Sequence, residues 1–423
     1  MSTRFVVAAL IGFLVSGLVE IALGAPGKAG PSGPTSSVLC LNSLRGSLQG
    51  QCGIVLDVNG DGNEDLVIGA PYAQGPGTKG ALLVYPGAPA GFPQRPSLLL
   101  EGEGNLGWSL ASLGDLDGDG KGYFAAGAFS GSSDEASLAG TVTIYKGGVK
   151  PQKVAVLSGE NALDKFGYSL AVGDLNGDGL PDLVVGAPFH SPSPALYQRG
   201  AVYVFFGDRT TILKKEALKI PATSAYGGIG FSLATGDING DGKDDLLLQA
   251  SGRVVAFHGA ASFNPAVTGP NLVFTNADAG FGKSIAVLDD GNVAIGADQA
   301  GIAGVSDSGR LYIFNGAGNQ LAKIDGEPNG GRFGSAILPV GPGLAVSAVH
   351  ADGDPWPATG KIFLFNGSLT AGATVNSARV IAGEVRNMHL GSFLALVAQG
   401  PRLAAGAPTE DANTGKVRLF NLP

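Results

Sequence analysis

Apolar residues along this chain fall in short runs of four to seven, rich in Val, Leu, Ile, Phe and Tyr and bounded by Gly. Such runs predict β-strands, and no long window carries the 3.6-residue spacing of a packed helix. The runs recur in a fixed order. Gly107, Gly167, Gly230, Gly282, Gly334 and Gly391, each after an apolar residue, open successive units, with Gly50 as a weaker first copy; the spacings are 57, 60, 63, 52, 52 and 57 residues. An apolar segment and a turn follow, then a second segment ending near Gly-Ala-Pro, as in Leu66–Pro71, Leu183–Pro188 and Leu403–Pro408. A third segment opens with Gly, as in GALLVYPG and GRLYIFNG, and a fourth leads into the next unit.

Seven units of four strands predict an all-β fold, a seven-bladed β-propeller over residues 37–423. The last unit ends at Leu422–Pro423 straight after its third strand, and a surplus strand, Ser37–Leu44, precedes the first unit. This N-terminal strand is expected to complete the seventh blade, closing the ring and removing sheet edges. Residues 1–24 read as a secretory signal peptide: Arg4, an apolar run Phe5–Val19 too short to span a bilayer, and the small residues Ala22 and Gly24 before the cut. Residues 25–36 read as a flexible Gly/Pro/Ser linker. The mature chain is thus expected to be secreted, extracellular or periplasmic, without a membrane span. Cys40 and Cys52 fall on an outer and an inner strand, which disfavours a bridge, while an oxidising compartment favours one. Their pairing stays open, as does the oligomeric state.

Composition sharpens this picture in two ways. The 70 Gly residues among 423 are accounted for by turns and close backbone approaches in the repeat. The net charge of −8, from 35 acids and 27 bases, lacks the basic stripe of a nucleic-acid partner. Much of that acidity sits between the first and second strands of units one to four, in DVNGDGNED (Asp57–Asp65), DLDGDGKGY (Asp115–Tyr123), DLNGDGLPD (Asp174–Asp182) and DINGDGKDD (Asp237–Asp245). Oxygen side chains at positions 1, 3, 5 and 9, a turn-forming Gly at 6 and a backbone carbonyl at 7 suit Ca²⁺, which takes roughly six to eight oxygens; Mg²⁺ fits less well because it dehydrates reluctantly. The candidate ligands are Asp57, Asn59, Asp61, Asn63 and Asp65; Asp174, Asn176, Asp178, Leu180 and Asp182; and Asp237, Asn239, Asp241, Lys243 and Asp245. A single such loop reads equally well as an Asx-rich turn, but three complete copies with mutually repelling carboxylates favour an ion. Unit two offers Asp115, Asp117 and Asp119 but has Tyr123 where the closing acid belongs, which leaves a fourth Ca²⁺ open. Units five to seven have no comparable loop.

Phe166-Gly167, Phe281-Gly282, Phe333-Gly334, the Gly-Ala-Pro copies and the acidic loops together resemble the FG-GAP repeat proteins, typified by the propeller of integrin α subunits. The resemblance covers roughly residues 37–423. It implies a seven-bladed propeller whose calcium loops lie on the lower face and are structural. Two departures stand out: integrin α subunits continue into leg domains, a transmembrane helix and a tail, and their calcium loops lie in later blades. The chain is therefore expected to be a simpler secreted relative.

Two classes of function fit. One is a calcium-stabilised adhesion or recognition module for an extracellular protein or carbohydrate. Its ligand face would be built from the loops after Gly-Ala-Pro, with Tyr72, Phe189, His190, His350 and Trp356 as candidates and Tyr197, Asp352 and Asp354 nearby. The other is an extracellular enzyme, a hydrolase or lyase acting on polysaccharide or phosphoester in an upper-face pocket. The four histidines at 190, 258, 350 and 389 are spread over four units and no nucleophile motif is present, so the binding module is preferred. Convergence of His190 and His350 would reverse that preference. Trp108, on an inner strand, reads as core.

Overall fold

In the computed structural model the chain forms seven four-stranded antiparallel sheets arranged as a ring. The structure describes residues 36–39, 51–73, 79–132, 137–191, 193, 197–208, 212–213, 218–223, 227–352, 357–367, 369, 372–398, 402–410 and 415–422. The signal and almost all of the linker lie outside them, as do Cys40, Gly50, Asp354 and Trp356. Blade one consists of Gly53–Leu56, Asp65–Ala70, Lys79–Tyr85 and Leu98–Glu103. Blades two to six repeat this order from Ser109, Ser169, Leu233, Phe281 and Phe333.

Blade seven supplies only three strands from its own unit, Leu394–Val397, Arg402–Ala407 and Lys416–Asn421. Its fourth is Ser36–Leu39, paired antiparallel with the third in the register Ser36↔Phe420 to Leu39↔Val417. The expected closure is present, with a strand that begins one residue earlier than the predicted Ser37 and is described only as far as Leu39.

Alternation along each strand sends side chains to both sheet faces, and both faces are covered by neighbouring blades. Every second strand is accordingly buried, Asp65–Ala70 and Asp182–Ala187 along their whole lengths. Seven hydrophobic clusters result, one at each blade-to-blade interface. The first-to-seventh interface packs Leu66, Ile68 and Leu83 against Phe393, Val417 and Leu419.

The motif glycines are the points where blades touch nearest the axis. Gly107, at φ 88°, lies so close to Gly69 of the preceding blade that a Cβ on Gly69 would stand 2.0 Å from the Gly107 carbonyl oxygen. Neighbouring serines fasten the same contact: Ser109, Ser169 and Ser284 donate their hydroxyls to the carbonyls of Gly167, Gly230 and Gly334 at 2.7–2.8 Å.

Candidate functional site

Antiparallel strands send successive turns to opposite faces. The turns between first and second strands therefore share one face, called lower here. The Gly-Ala-Pro turns and the turns between blades share the other.

On the lower face, four acidic loops fold alike. The first-position carboxylate accepts three amides of its own loop: Asp57 from Gly60, Asp61 and Gly62 at 2.7, 3.3 and 2.8 Å. Asp115, Asp174 and Asp237 do the same. The third-position oxygens of Asn59, Asn176 and Asn239 each accept the fifth-position amide at 2.8 Å. The glycines at both positions 4 and 6 lie at positive φ, 81° and 82° in blade one. The requirement at position 4 was not anticipated from the sequence, although Gly stands there in all four copies.

The ninth-position acids Asp65, Asp182 and Asp245 are fully buried. Asp65 Oδ2 accepts from the amides of Val58 and Asn59 at 3.0 and 3.2 Å, and Oδ1 from Gly87 at 2.7 Å. Asp182 is held by Leu175 and Gly207, and Asp245 by Ile238 and Gly259. Each carboxylate thus ties its loop to the end of the third strand. Burial raises the Asp65 carboxyl above the ordinary carboxylate range, and Asp61 adds to the effect. Burial pushes Asp182 up to about 6, with Asp178 and Asp174 contributing. Asp245 is raised by burial and then by Asp241. Among the described residues no ammonium or guanidinium pairs with Asp57, Asp61 or Asp65, nor with Asp174, Asp178 or Asp182, and in loop four Lys243 stands 3.6 Å from Asp241. Oxygen-only donors, a preformed turn and an uncompensated buried carboxylate suit a hard divalent cation.

Blade two differs. Oxygens of Asp115, Asp117 and Asp119 lie within 4.8 Å of one another, forming an acidic triad. Lys146 reaches into it, bonding Asp117 and standing 2.9 Å from Asp119. Lys121 bonds Asp119 at 2.9 Å, and the Tyr123 hydroxyl donates to Asp117 at 2.9 Å. Lys146 holds the Asp117 and Asp119 carboxyls below their ordinary range, and they in turn raise the ammonium. Protein cations here bond the loop's carboxylates more closely than Lys243 approaches Asp241 in loop four.

On the upper face, aromatic rings form a continuous arc. Trp108 meets Tyr72, Phe129 and Tyr168 at centroid distances of 6.5, 4.7 and 5.4 Å. Tyr168 then meets Phe231 at 5.4 Å, and Phe231 meets Phe189 at 5.7 Å. Trp108 is half-buried rather than core, because the residue after each opening Gly points toward the mouth of the ring. Tyr72 is exposed and Phe189 half-buried, both within the arc. His190, expected on this face, is only 2% exposed. Its Nδ1 lies 2.8 Å from Asp164 Oδ2 and its carbonyl accepts the Gly200 amide, so it closes the turn from inside. His350 does not meet His190; its ring lies 4.9 Å from that of His389. Cys52, among the described residues a free thiol, donates to the Gly107 carbonyl at 3.1 Å, and burial pushes its thiol up to about 12. Among the described residues no helix is long and apolar enough to cross a membrane.

Ring closure and blade packing define a seven-bladed β-propeller with acidic turns between the first and second strands of four blades. More specifically, the chain contains FG-GAP repeats: the FG-GAP repeat model matches residues 54–85, 166–205 and 229–257, in the three blades whose acidic loops are complete. It is similar to mouse (Mus musculus) phosphatidylinositol-glycan-specific phospholipase D, 36% identical over 154 residues, covering 34% of this chain and 18% of that protein. It is also similar to Drosophila melanogaster integrin alpha-PS5, 40% identical over 114 residues (26% of this chain, 11% of the relative). Human (Homo sapiens) integrin alpha-IIb is 32% identical over 238 residues, 53% of this chain and 21% of the relative. The chain spans about a fifth or less of the length of these relatives.

Proposed function

We propose that this chain is an extracellular recognition module whose propeller is stabilised by Ca²⁺ on the lower face and engages a protein or carbohydrate ligand on the upper face. The observation that carries the calcium reading is the contrast between blades. Where the ninth acid is present and buried, as at Asp65, Asp182 and Asp245, no described ammonium or guanidinium pairs with the ligand carboxylates of blades one and three, and in blade four Lys243 stands 3.6 Å from Asp241; where it is replaced by Tyr123, Lys146 and Lys121 bond the loop directly. A cation in blades one, three and four would be held by Asp57, Asn59, Asp61 and Asp65, and by their counterparts at 174, 176, 178 and 182 and at 237, 239, 241 and 245, with the carbonyls of Asn63, Leu180 and Lys243. The aromatic arc supports the recognition reading, since exposed rings give large contact area at small entropic cost.

Calorimetric titration of chelator-stripped protein tests the first part, with three Ca²⁺ per chain expected. Chelation should lower the thermal midpoint, because an ion bound only by the folded state stabilises it by mass action, about 2.7 kcal/mol per site at a hundredfold excess over Kd. An unchanged midpoint would overturn calcium binding. A glycan array and a panel of extracellular matrix proteins test the second part, with Tyr72→Ala and Trp108→Ala expected to weaken whatever binds.

A further inference from the structure

Blades four and five break the repeat at adjoining places. Gln249 stands where the second strands of blades one, two, three, five and seven carry the interface Gly, and Asp298 stands where Pro71 and Pro188 stand in their blades. Both side chains line one upper-face cavity of about 310 Å³ at the end of the aromatic arc, together with Tyr168, Phe231, Gly280 and Lys283. Asp298 is 2% exposed, yet its Oδ1 has no hydrogen-bond partner; Gln249 Oε1 is likewise buried and unpartnered. A buried acceptor left unsatisfied costs on the order of 1–3 kcal/mol, so two of them on residues that line one cavity, with no partner among the described residues, mark a place suited to donors. Gly280 keeps the approach open, since a Cβ there would stand 2.6 Å from Asp298 Oδ1.

The lining also says what kind of donor. Asp298 and Lys283 put one charge of each sign in the lining, which suits a ligand without net charge. Phe231, 41% exposed, and the half-buried Tyr168 put aromatic surface in the lining, which suits C–H groups. Burial raises the Asp298 carboxyl, with Lys283 and Arg332 pulling the other way and Asp307 adding. The volume is at the small end of the ~300–1,000 Å³ range of ligand pockets, room for one ring rather than a chain. We propose that this cavity binds a single neutral sugar ring, its hydroxyls donating to Gln249 Oε1 and Asp298 Oδ1, one hydroxyl oxygen accepting from Lys283, and its C–H face lying against Phe231. The assignment rests on reading the upper face as a recognition surface and gives that surface a ligand class.

Saturation-transfer NMR and calorimetry on the calcium-loaded chain, with the methyl glycosides of glucose, galactose, mannose and N-acetylglucosamine as probes, test it. At least one glycoside should bind with its ring protons saturated from aromatic resonances. Phe231→Ala, at an exposed position that leaves the fold alone, and Asp298→Ala, with folding checked by circular dichroism, should each weaken binding at least tenfold. Val149→Ala, at an exposed position in a lower-face turn, should not. Failure of all four glycosides, or binding indifferent to both pocket variants, would overturn the sugar pocket. If array binding that depends on Tyr72 persisted in that case, the recognition reading would stand without it; loss of array binding alone would count against the wider reading and not the pocket.

Discussion

At the scale of single residues, the informative one on the lower face is Lys146. Its ammonium lies among the carboxylates of Asp117 and Asp119, whereas among the described residues no cation pairs with the ligand carboxylates of loops one and three, and in loop four Lys243 stands 3.6 Å from Asp241. The double variant Lys146→Met with Tyr123→Asp removes that charge and restores the ninth acid. Calcium stoichiometry should rise by one ion per chain in calorimetry; an unchanged stoichiometry would show that something other than Lys146 and Tyr123 closes the loop. A second residue-scale expectation concerns His350 and His389. Burial lowers His389 below its ordinary value of 6.5, and burial, His389 and Arg332 lower His350, with Asp307 opposing. A depressed histidine leaves the folded state short of protons relative to the unfolded chain, so stability is lost as pH falls below about 6.5 toward the folded value. The thermal midpoint should therefore decline between pH 7 and 5, and His350→Gln should flatten that slope. An identical slope in the variant would show that the pair does not titrate with folding.

At the scale of elements, the repeat was legible because its motifs are its contacts. The Gly after an apolar residue and the Gly of Gly-Ala-Pro recur because they meet across every blade interface where both are kept. This makes a sharp stability test. At Gly186 a Cβ would lie 2.3 Å from both the Gly230 carbonyl and the Ser169 hydroxyl, whereas at Gly301 the nearest atom is 3.6 Å away. Gly186→Ala should cost about 1–3 kcal/mol by overpacking, read as a shifted urea midpoint at unchanged slope, and Gly301→Ala should leave the midpoint in place. Equal midpoints would mean that the blades yield at this contact. The same logic explains what the sequence hid. Trp108, Tyr168 and Phe231 follow successive opening glycines some sixty residues apart, and only the curvature of the ring turns them into one arc. Gln249 and Asp298 lie some fifty residues apart with no motif joining them, and their shared cavity exists only because blades four and five are neighbours. His190 followed a Gly-Ala-Pro turn and was expected outside; the buried Asp164 carboxylate, 26 residues earlier, draws it in.

At the scale of the whole molecule, the question is what the N-terminal strand contributes once a ring already exists. Inner strands touch their neighbours all the way round, and the first and seventh blades share a hydrophobic cluster. The ring is therefore held at its centre by packing, and Ser36–Leu39 acts at the rim, covering the edge of Lys416–Asn421. Deleting residues 1–39 should weaken the protein without abolishing the fold. Its four paired positions, at about 0.5–1.5 kcal/mol net per hydrogen bond, give a loss on the order of 2–6 kcal/mol. The exposed edge should also add concentration-dependent association, since unpaired strand N–H and C=O groups template pairing with another copy. Deleting residues 1–35 alone supplies the control, with an unchanged midpoint expected. A midpoint as high after the longer deletion as after the shorter one, with no added association by light scattering, would show that the closing strand is dispensable and that packing at the axis alone holds the seventh blade. Chelation separates the two supports: it acts on blades one, three and four through their loops, so its effect should add to that of the longer deletion rather than replace it, as expected for distant sites without shared partners.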